Sequence, residues 1–287
     1  MTVEQIYKEV LEKLAKTAPI IGSTFPHVGR EDKWDDMEQK DITWWTNGFW
    51  PGMLWQMYDI TGDETFRSIA EECENKLDKA FDVFKGLQHD VGFLWGDSAV
   101  ANYKLTGNEK YLEKLYEYIC YSDEIMLDKE TGIYFRDAKY VYPKHKSANG
   151  KKDFWARGDG WVLAGLAKVL KDLPADYKHR QFFVDKYKKL AKSIAEIQQP
   201  EGYWTRSMMD PEHAPGPETS GTAFFTYGFL WGINNGYLDE ATYMPTVNKA
   251  WNYLKNTALQ KSGKVGYVQP IGEKAIPGQI VDANSQS

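Results

Sequence analysis

One histidine and two carboxylates lie close together in the segment Gln88-His-Asp-Val-Gly-Phe-Leu-Trp-Gly-Asp97. If this segment is helical, Asp90 and Asp97 are two turns apart and share one face. Paired carboxylates in an apolar cleft suit general acid–base catalysis, because burial or a neighbouring like charge raises one pKa enough to hold a proton near neutrality. The alternative is that Asp90 caps the next helix and Asp97 is an exposed charge, and the spacing leaves both readings open.

An arginine between two tryptophans marks a second segment, Asp153-Phe-Trp-Ala-Arg-Gly-Asp-Gly-Trp161. The planar guanidinium of Arg157 suits a carboxylate, because its N–H groups form a fork that matches two oxygens. Trp155 and Trp161 offer flat walls for a ring. The pattern predicts recognition of a carboxylated ring, and a structural salt bridge at a helix start is the alternative.

A third segment, Trp44-Trp-Thr-Asn-Gly-Phe-Trp-Pro-Gly52, crowds three tryptophans around a polar helix start. We expect Thr46 or Asn47 to cap a helix that begins near Phe49. A packed helix start accounts for part of this pattern. The number of rings at a polar helix end favours a cleft that includes Trp45.

Two segments of the C-terminal half add further candidates. Trp204 and Arg206, in Gly202-Tyr-Trp-Thr-Arg-Ser207, are candidate cleft residues. Glu218 and Thr219 are expected to cap a helix that runs through Phe229, because short polar side chains satisfy the unpaired N–H groups of a first turn.

The composition also fits a cleft lined by rings. Aromatic residues make up 15% of the 287 residues, and many adjoin Gly, Asp, Asn or Arg. Rings beside polar groups suit a sugar, which has an apolar face and a hydroxyl rim, although an aromatic core explains some of them. The net charge of −6 argues against a nucleic-acid-binding protein.

Cysteine and histidine usage indicates no cofactor. Cys73 and Cys120 lie on separate helical segments and are expected to be buried thiols. The five scattered histidines do not form a metal-binding pattern, and the sequence has no dinucleotide-binding fingerprint, so neither a metal nor a nucleotide cofactor is predicted. The amphipathic N-terminus has no signal-peptide pattern and no stretch is apolar enough to span a bilayer, so the expected location is the cytoplasm, without a membrane partner.

A weak internal repeat indicates the fold. Tyr58-Asp-Ile-Thr-Gly-Asp-Glu-Thr-Phe66 is echoed 45 residues later by Tyr103-Lys-Leu-Thr-Gly-Asn-Glu-Lys-Tyr111, and more loosely by the segment 234–243. Each copy predicts a helix that ends at glycine and a new helix capped by Asp or Asn. A unit of ~40–50 residues indicates an α-solenoid or a closed α/α toroid, and motifs at helix starts favour the toroid. The only strand candidates are Ile133–Phe135 and Lys264–Val268.

At these motifs the sequence resembles the unsaturated glucuronyl and rhamnogalacturonyl hydrolases of glycoside hydrolase families 88 and 105. The likeness to family 88 lies in Trp45-Thr-Asn-Gly-Phe-Trp-Pro-Gly52 and His89-Asp-Val-Gly-Phe93. The likeness to family 105 lies in Tyr134-Phe-Arg-Asp137, the segment 154–161, Glu218-Thr-Ser-Gly-Thr222 and Trp231-Gly-Ile-Asn-Asn-Gly236.

The resemblance implies an all-α (α/α)6 barrel of six helical hairpins, as a single catalytic domain over residues 1–287. It also implies a reaction on the oligosaccharide products of polysaccharide lyases, whose terminal uronate has a C4=C5 double bond. An aspartic acid protonates C4, water adds at C5, and the resulting hemiketal opens and releases the aglycone. The carboxylate spacing that separates retaining from inverting glycosidases does not apply to this chemistry.

The resemblance assigns roles to residues. Asp90 matches a catalytic-site aspartate of family 88, and the Trp95-Gly-Asp97 sequence matches the acid/base motif of family 105, so both aspartates are candidates. The expected substrate-binding residues are Trp45, His89, Trp95, Trp155, Arg157, Trp161 and Trp204.

The chain is shorter than these relatives. The expected barrel therefore either has all six helical hairpins or lacks one of them. This shortness keeps two alternatives open. One is a catalytically inactive relative that binds uronate oligosaccharides, and the other is a helical-repeat scaffold without enzymatic activity.

Overall fold

Helices account for 57% of the structure and strands for 6%, which confirms the predicted all-α class. The structure is a computed structural model that describes residues 2–31, 33–83, 92–96, 98–272 and 274–285. It divides into two compact units, residues 1–121 and 122–287. The single catalytic domain expected from the sequence stays a prediction.

The first unit contains short and long helices around an aromatic core. Its helices are α1 (Val3–Ile21), α2 (Met37–Lys40), a 3-10 helix (Trp45–Gly48), α3 (Phe49–Thr61), α4 (Glu64–Leu77), α5 (Lys79–Val83), α6 (Gly92–Trp95) and α7 (Ala99–Thr106). Helix α8 (Lys110–Met126) begins in this unit and ends in the second. Strands β1 (Pro26–Arg30) and β2 (Lys33–Asp36) form an antiparallel pair.

The glycine-and-cap repeat is confirmed in its first two copies, whereas in the third copy the helix Thr219–Asn234 ends two residues before Gly236, and only the Asp239 cap is as predicted. Helices α3 and α7 end at Gly62 and Gly107, which adopt left-handed backbone conformations. The side chain of Asp63 then accepts a hydrogen bond from the backbone amide of Thr65 and thereby caps the start of α4. Glycine has no side chain, so it adopts the left-handed conformation at little steric cost. A helix that ends at glycine can therefore be predicted from the sequence.

A buried carboxylate lies in the core of the first unit. The side chain of Glu74 accepts hydrogen bonds from the indole N–H of Trp55 (2.9 Å) and from the amide of Asn102 (2.6 Å). Loss of hydration raises the pKa of Glu74 to about 7, although these donors act in the opposite direction. The carboxylate links α3, α4 and α7 in one polar cluster inside the apolar core.

The second unit pairs long helices around a close helix–helix crossing. Its helices are α9 (Ala156–Asp172), α10 (Arg180–Glu196), α11 (Thr219–Asn234) and α12 (Glu240–Tyr253), with a π-helical turn at Leu254–Ala258. Helices α9 and α11 pack most extensively. A Cβ atom on Gly221 would lie 2.8 Å from the backbone of Ala156, and one on Gly160 would lie 3.0 Å from Phe224. Glycine at both positions lets the two helices touch at their N-terminal ends.

Several local predictions are wrong. The strand candidates Ile133–Phe135 and Lys264–Val268 form isolated bridges (Leu127 to Tyr134, Leu259 to Val265) instead of strands. The β1–β2 hairpin, which the sequence does not predict, is mostly exposed. It therefore lacks the alternation of apolar and polar residues by which a strand is recognised.

The predicted cap of α3 is also wrong. Helix α3 has no side-chain cap, because the 3-10 helix leads directly into it. The amide of Asn47 donates instead to the carbonyls of Asp41 and Ile42.

Cys73 and Cys120 are both free thiols. Cys73 is a buried free thiol whose pKa burial raises to about 12, and Cys120 is half-buried, not buried as expected. Across the described ranges, none of the helices combines the length and apolarity needed to cross a membrane. The cytoplasmic location stays a prediction.

We expect Gly221→Ala to destabilise the protein by about 1–3 kcal/mol, because the new methyl group would overlap the backbone of Ala156. Urea denaturation measures this change. Gly165→Ala, on α9, is the matched control, since a Cβ there meets no atom within 4 Å. It should stabilise the protein by up to about 1 kcal/mol through helix propensity. Equal effects of the two substitutions would contradict the close crossing.

Candidate active site

The N-terminal ends of α9 and α11 meet in the second unit and are joined by extended segments. Isolated bridges pair Trp155 with Ser207 and Thr205 with Pro217. These bridges pair the residues just before each helix with the same short segment, residues 205–207. The side chains that begin the two helices therefore occupy one small region, which contains the arginine–tryptophan motif predicted to bind a carboxylated ring.

Arg157, in the first turn of α9, is 9% exposed and mostly engaged by the protein itself. Its Nε donates to Ser220 Oγ (2.8 Å) and its Nη1 donates to the carbonyl of Pro270 (3.3 Å). Its Nη2 donates to the carbonyl of Gln269 and lies 3.5 Å from Glu218 Oε1. One Nη1 proton has no acceptor among the described residues, and the rest of the guanidinium fork predicted to bind a carboxylate is occupied by the protein.

Glu218 is the fully buried carboxylate that organises this region. It caps α11 by accepting hydrogen bonds from the amides of Ser220 (3.3 Å) and Gly221 (2.6 Å), which confirms its predicted capping role. It also accepts a bond from the amide of Gln269. Because the same carboxylate faces Arg157, one side chain links the start of α11, the start of α9 and the segment around residue 269.

The two tryptophans of the motif differ in accessibility. Trp155 is 5% exposed, and its indole N–H donates to Gln269 Oε1 (2.8 Å). Trp161 is 40% exposed and packs against Phe224, with ring centroids 4.3 Å apart. Trp155 is positioned to shape the region around Arg157, whereas Trp161 has a ring surface that a ligand can reach.

Two of the predicted substrate-binding tryptophans are core residues. Trp204 is fully buried, donates its indole N–H to the carbonyl of Ile194 (2.8 Å) and packs against Phe225. Trp95 is 1% exposed and stacks on Phe81 at 4.6 Å. Neither offers a surface for a sugar. The predictions fail because a ring beside polar residues in the sequence can still point into the core.

The remaining predicted residues of the first unit are Trp45, His89, Asp90 and Asp97. Trp45 is half-buried and meets Phe49 edge-on, with centroids 5.6 Å apart. Helix α6, which carries Trp95, packs against the 3-10 helix that begins at Trp45, so the two motifs of the first unit are neighbours. His89, Asp90 and Asp97 lie outside the described residues.

Arg206, the remaining candidate, is 1% exposed and serves the framework. Its guanidinium donates to the carbonyls of Pro215 (2.6 Å) and Gln279 (2.8 Å). Burial lowers its pKa, whereas the charge of Glu218 acts in the opposite direction. Arg206 therefore ties the C-terminal segment to the loop before α11.

Sequence reasoning missed a polar cluster next to the site. Asp153 is buried and accepts a hydrogen bond from Ser207 Oγ (2.6 Å), and its other oxygen lies 3.0 Å from His145 Nε2. His213 Nε2 lies 3.8 Å from the same carboxylate. Asp153 and Ser207 lie in segments that the sequence marks, but His145 and His213 do not, so spacing alone gives no signal of the cluster. In the part of the chain that the structure describes, no group of side chains has the composition and proximity of a metal site.

Asp159 is a second missed feature, although it lies inside the motif. It is 1% exposed, and its Oδ1 accepts a hydrogen bond from the amide of Tyr134 (2.9 Å). Its Oδ2 has no partner among the described residues. Burial raises the pKa of this carboxyl well above its ordinary value, so the acid is favoured in its neutral form.

We expect Asp159→Asn to stabilise the protein at neutral pH. The buried carboxyl of Asp159 holds its proton more tightly in the folded protein than in the unfolded chain. The wild-type protein therefore loses stability as pH rises from the unfolded-state pKa of Asp159 toward its raised folded-state pKa, by at most about 1.4 kcal/mol per pH unit. The amide cannot ionise and keeps the acceptor for Tyr134. Thermal unfolding from pH 4 upward should show a gain over wild type that grows with pH.

The control for this experiment is Asp176→Asn, an exposed carboxylate in the same unit. It should follow the wild-type curve. A constant difference between Asp159→Asn and wild type at all pH values would show that Asp159 is not held neutral.

We expect Glu218→Ala to destabilise the protein by about 3 kcal/mol or more, because it removes a helix cap and leaves the buried Arg157 without its carboxylate. Asp239→Ala is the matched control, since Asp239 caps α12 by accepting from Thr242 but is exposed. Denaturant titration should give a clearly smaller loss for Asp239→Ala. Similar losses would mean that the contact between Glu218 and Arg157 contributes nothing beyond capping.

Similarity to known proteins is extensive. The chain is 40% identical over 178 residues to the unsaturated 3S-rhamnoglycuronyl hydrolase of Formosa agariphila, which covers 61% of this chain and 47% of that relative. It thus spans less than half the length of that curated relative. A solved structure of a glycosyl hydrolase family 88 protein from Bacteroides vulgatus is 46% identical with a TM-score of 0.79, and the match covers 97% of this chain and 81% of that one.

A second solved structure, of a protein described as a polysaccharide lyase, is 49% identical with a TM-score of 0.79 over 98% of this chain and 80% of that one. Solved neighbours from families 88 and 105 confirm the six-hairpin glycosidase fold class that the sequence predicts. The profile of Glycosyl Hydrolase Family 88 matches residues 94–286. The protein therefore belongs to glycosyl hydrolase family 88.

Proposed function

We propose that the protein is a glycosidase that removes the terminal 4,5-unsaturated uronate from lyase-generated oligosaccharides. The observation that carries the proposal is the pairing of an accessible ring with a cation at the joined ends of α9 and α11, in a chain of this family. Trp161 offers a flat apolar surface, and Arg157, one helical turn away, offers an N–H to an anion. A uronate ring needs both partners.

The proposed reaction uses an aspartic acid and water. The acid donates its proton to C4 of the double bond, and a water oxygen bonds to C5 while the water proton passes to the aspartate. The hemiketal at C5 opens by breaking the C5–O5 bond, which gives a ketone at C5 and a hydroxyl on C1. The resulting hemiacetal at C1 then collapses to an aldehyde: the bond between C1 and the glycosidic oxygen breaks, and the C1 hydroxyl proton passes to the aglycone, which leaves as an alcohol. The candidates for the acid are Asp97, which matches the acid/base motif of family 105, and Asp90, which matches a catalytic-site aspartate of family 88.

Two alternatives have their own support. The relative at 49% identity is described as a polysaccharide lyase, an enzyme class that creates the double bond by elimination. A non-catalytic uronate-binding protein is the second alternative, because Trp161 and Arg157 are binding groups and neither supplies the carboxylic acid that the reaction needs.

One absorbance measurement separates these functions. The conjugated double bond absorbs in the ultraviolet, so a hydrolase acting on unsaturated oligosaccharides lowers the signal with time. A lyase acting on intact polyuronate raises it, and a binding protein changes neither signal. We expect the first result.

We expect that Asp97→Asn or Asp90→Asn reduces the hydrolysis rate by about 10²–10⁴-fold, the usual contribution of general acid–base catalysis. The variant with the larger loss identifies the proton donor. Asp176→Asn, on the surface of the second unit, is the control and should retain the wild-type rate. If both aspartate variants turn over at the wild-type rate, neither residue is the acid and the proposed mechanism is wrong.

A further inference from the structure

Helix α11 has an accessible face that is aromatic where most surface helices are polar. Ser220, Phe224 and Tyr227 follow one another at helical spacing on this face. Tyr227 is 44% exposed. Helices that are apolar on all sides are normally buried, so an exposed aromatic face on α11 calls for a ligand or a partner.

The neighbouring helix α9 presents matching residues in the same order. Arg157 and Trp161 are one helical turn apart, as are Ser220 and Phe224. The two helices are connected at both levels, since Arg157 Nε donates to Ser220 Oγ (2.8 Å) and the Trp161 and Phe224 rings lie 4.3 Å apart. The pair Arg157 and Ser220 at the helix starts forms a polar level. The pair Trp161 and Phe224, one helical turn further along, forms an aromatic level.

The close crossing of α9 and α11 keeps these two levels in register. Gly160 and Gly221 allow the helices to touch, which brings the ring of Phe224 beside that of Trp161. Tyr227 extends the ring surface by about 4.5 Å along α11, at about 1.5 Å per residue. We call Trp161, Phe224 and Tyr227 the aromatic strip.

We infer that Phe224 and Tyr227, together with Trp161, bind the apolar face of a pyranose ring in the terminal uronate disaccharide. The inference rests on the proposed function, and adds two specificity-determining residues to it. A sugar fits the aromatic strip better than a protein partner does, because the strip continues directly into the polar level at Arg157 and Ser220. A pyranose needs this combination of a flat apolar surface and nearby hydrogen-bonding groups.

Calorimetric titration with a saturated uronate disaccharide tests the inference apart from catalysis, because this probe has no double bond to hydrate. We expect Tyr227→Ala to raise Kd by about five- to tenfold, which is the usual worth of an aromatic contact. Tyr227→Phe keeps the ring and should stay within about twofold of wild type. Tyr227 is exposed, so its removal leaves the helix packing intact.

Trp251→Ala is the matched control, since Trp251 is an exposed ring (57%) on α12, a helix that contacts α11 at Thr219 and Phe229. It should bind the disaccharide like wild type. Phe224→Ala should also raise Kd, and its circular dichroism spectrum shows whether the fold survives.

The binding and absorbance measurements test the inference and the proposed hydrolysis separately. A wild-type protein that does not bind the disaccharide, or equal Kd values for Tyr227→Ala and Trp251→Ala, would overturn the inference. Binding that depends on Tyr227 without any loss of ultraviolet absorbance on the unsaturated substrate would remove the proposed hydrolysis and leave the aromatic strip as a sugar-binding surface.

Discussion

The contact on which the candidate site depends is the buried carboxylate of Glu218. A carboxylate removed from water is tolerated only when hydrogen bonds and an opposite charge replace its hydration. Here the replacement comes from the first amides of α11, the amide of Gln269 and the guanidinium of Arg157. Because these partners belong to three segments far apart in sequence, satisfying one carboxylate fixes the relative position of all three.

The second constraint is steric. Backbone contact between α9 and α11 requires glycine at Gly160 and Gly221, and this contact sets how near the side chains on the accessible faces can come. The ring pair of Trp161 and Phe224 is a direct result. The glycines of the motif therefore act through packing, whereas the arginine and tryptophan that they separate are the residues proposed to bind the ligand.

Much of this organisation is readable from the sequence, and the exceptions have physical causes. Glycine followed by Asp or Asn predicts the helix ends at Gly62 and Gly107, because the left-handed backbone and the cap are both local requirements. The cap at Glu218 is predictable for the same reason. The roles of Trp204 and Trp95 are not, since the direction of a ring is decided by neighbours distant in sequence. Likewise, the charge state of Asp159 follows from burial that no local pattern reveals.

The many internal contacts of Arg157 have a consequence for selectivity. A surface arginine loses side-chain entropy when it grips a ligand, but here that entropy is lost when the protein folds, so the group is preorganised. The same contacts prevent the guanidinium from moving toward an anion that lies out of place. Such a site discriminates by the position of the carboxylate on the sugar more than by its charge, and a ligand of equal charge but different ring geometry would find no compensating movement.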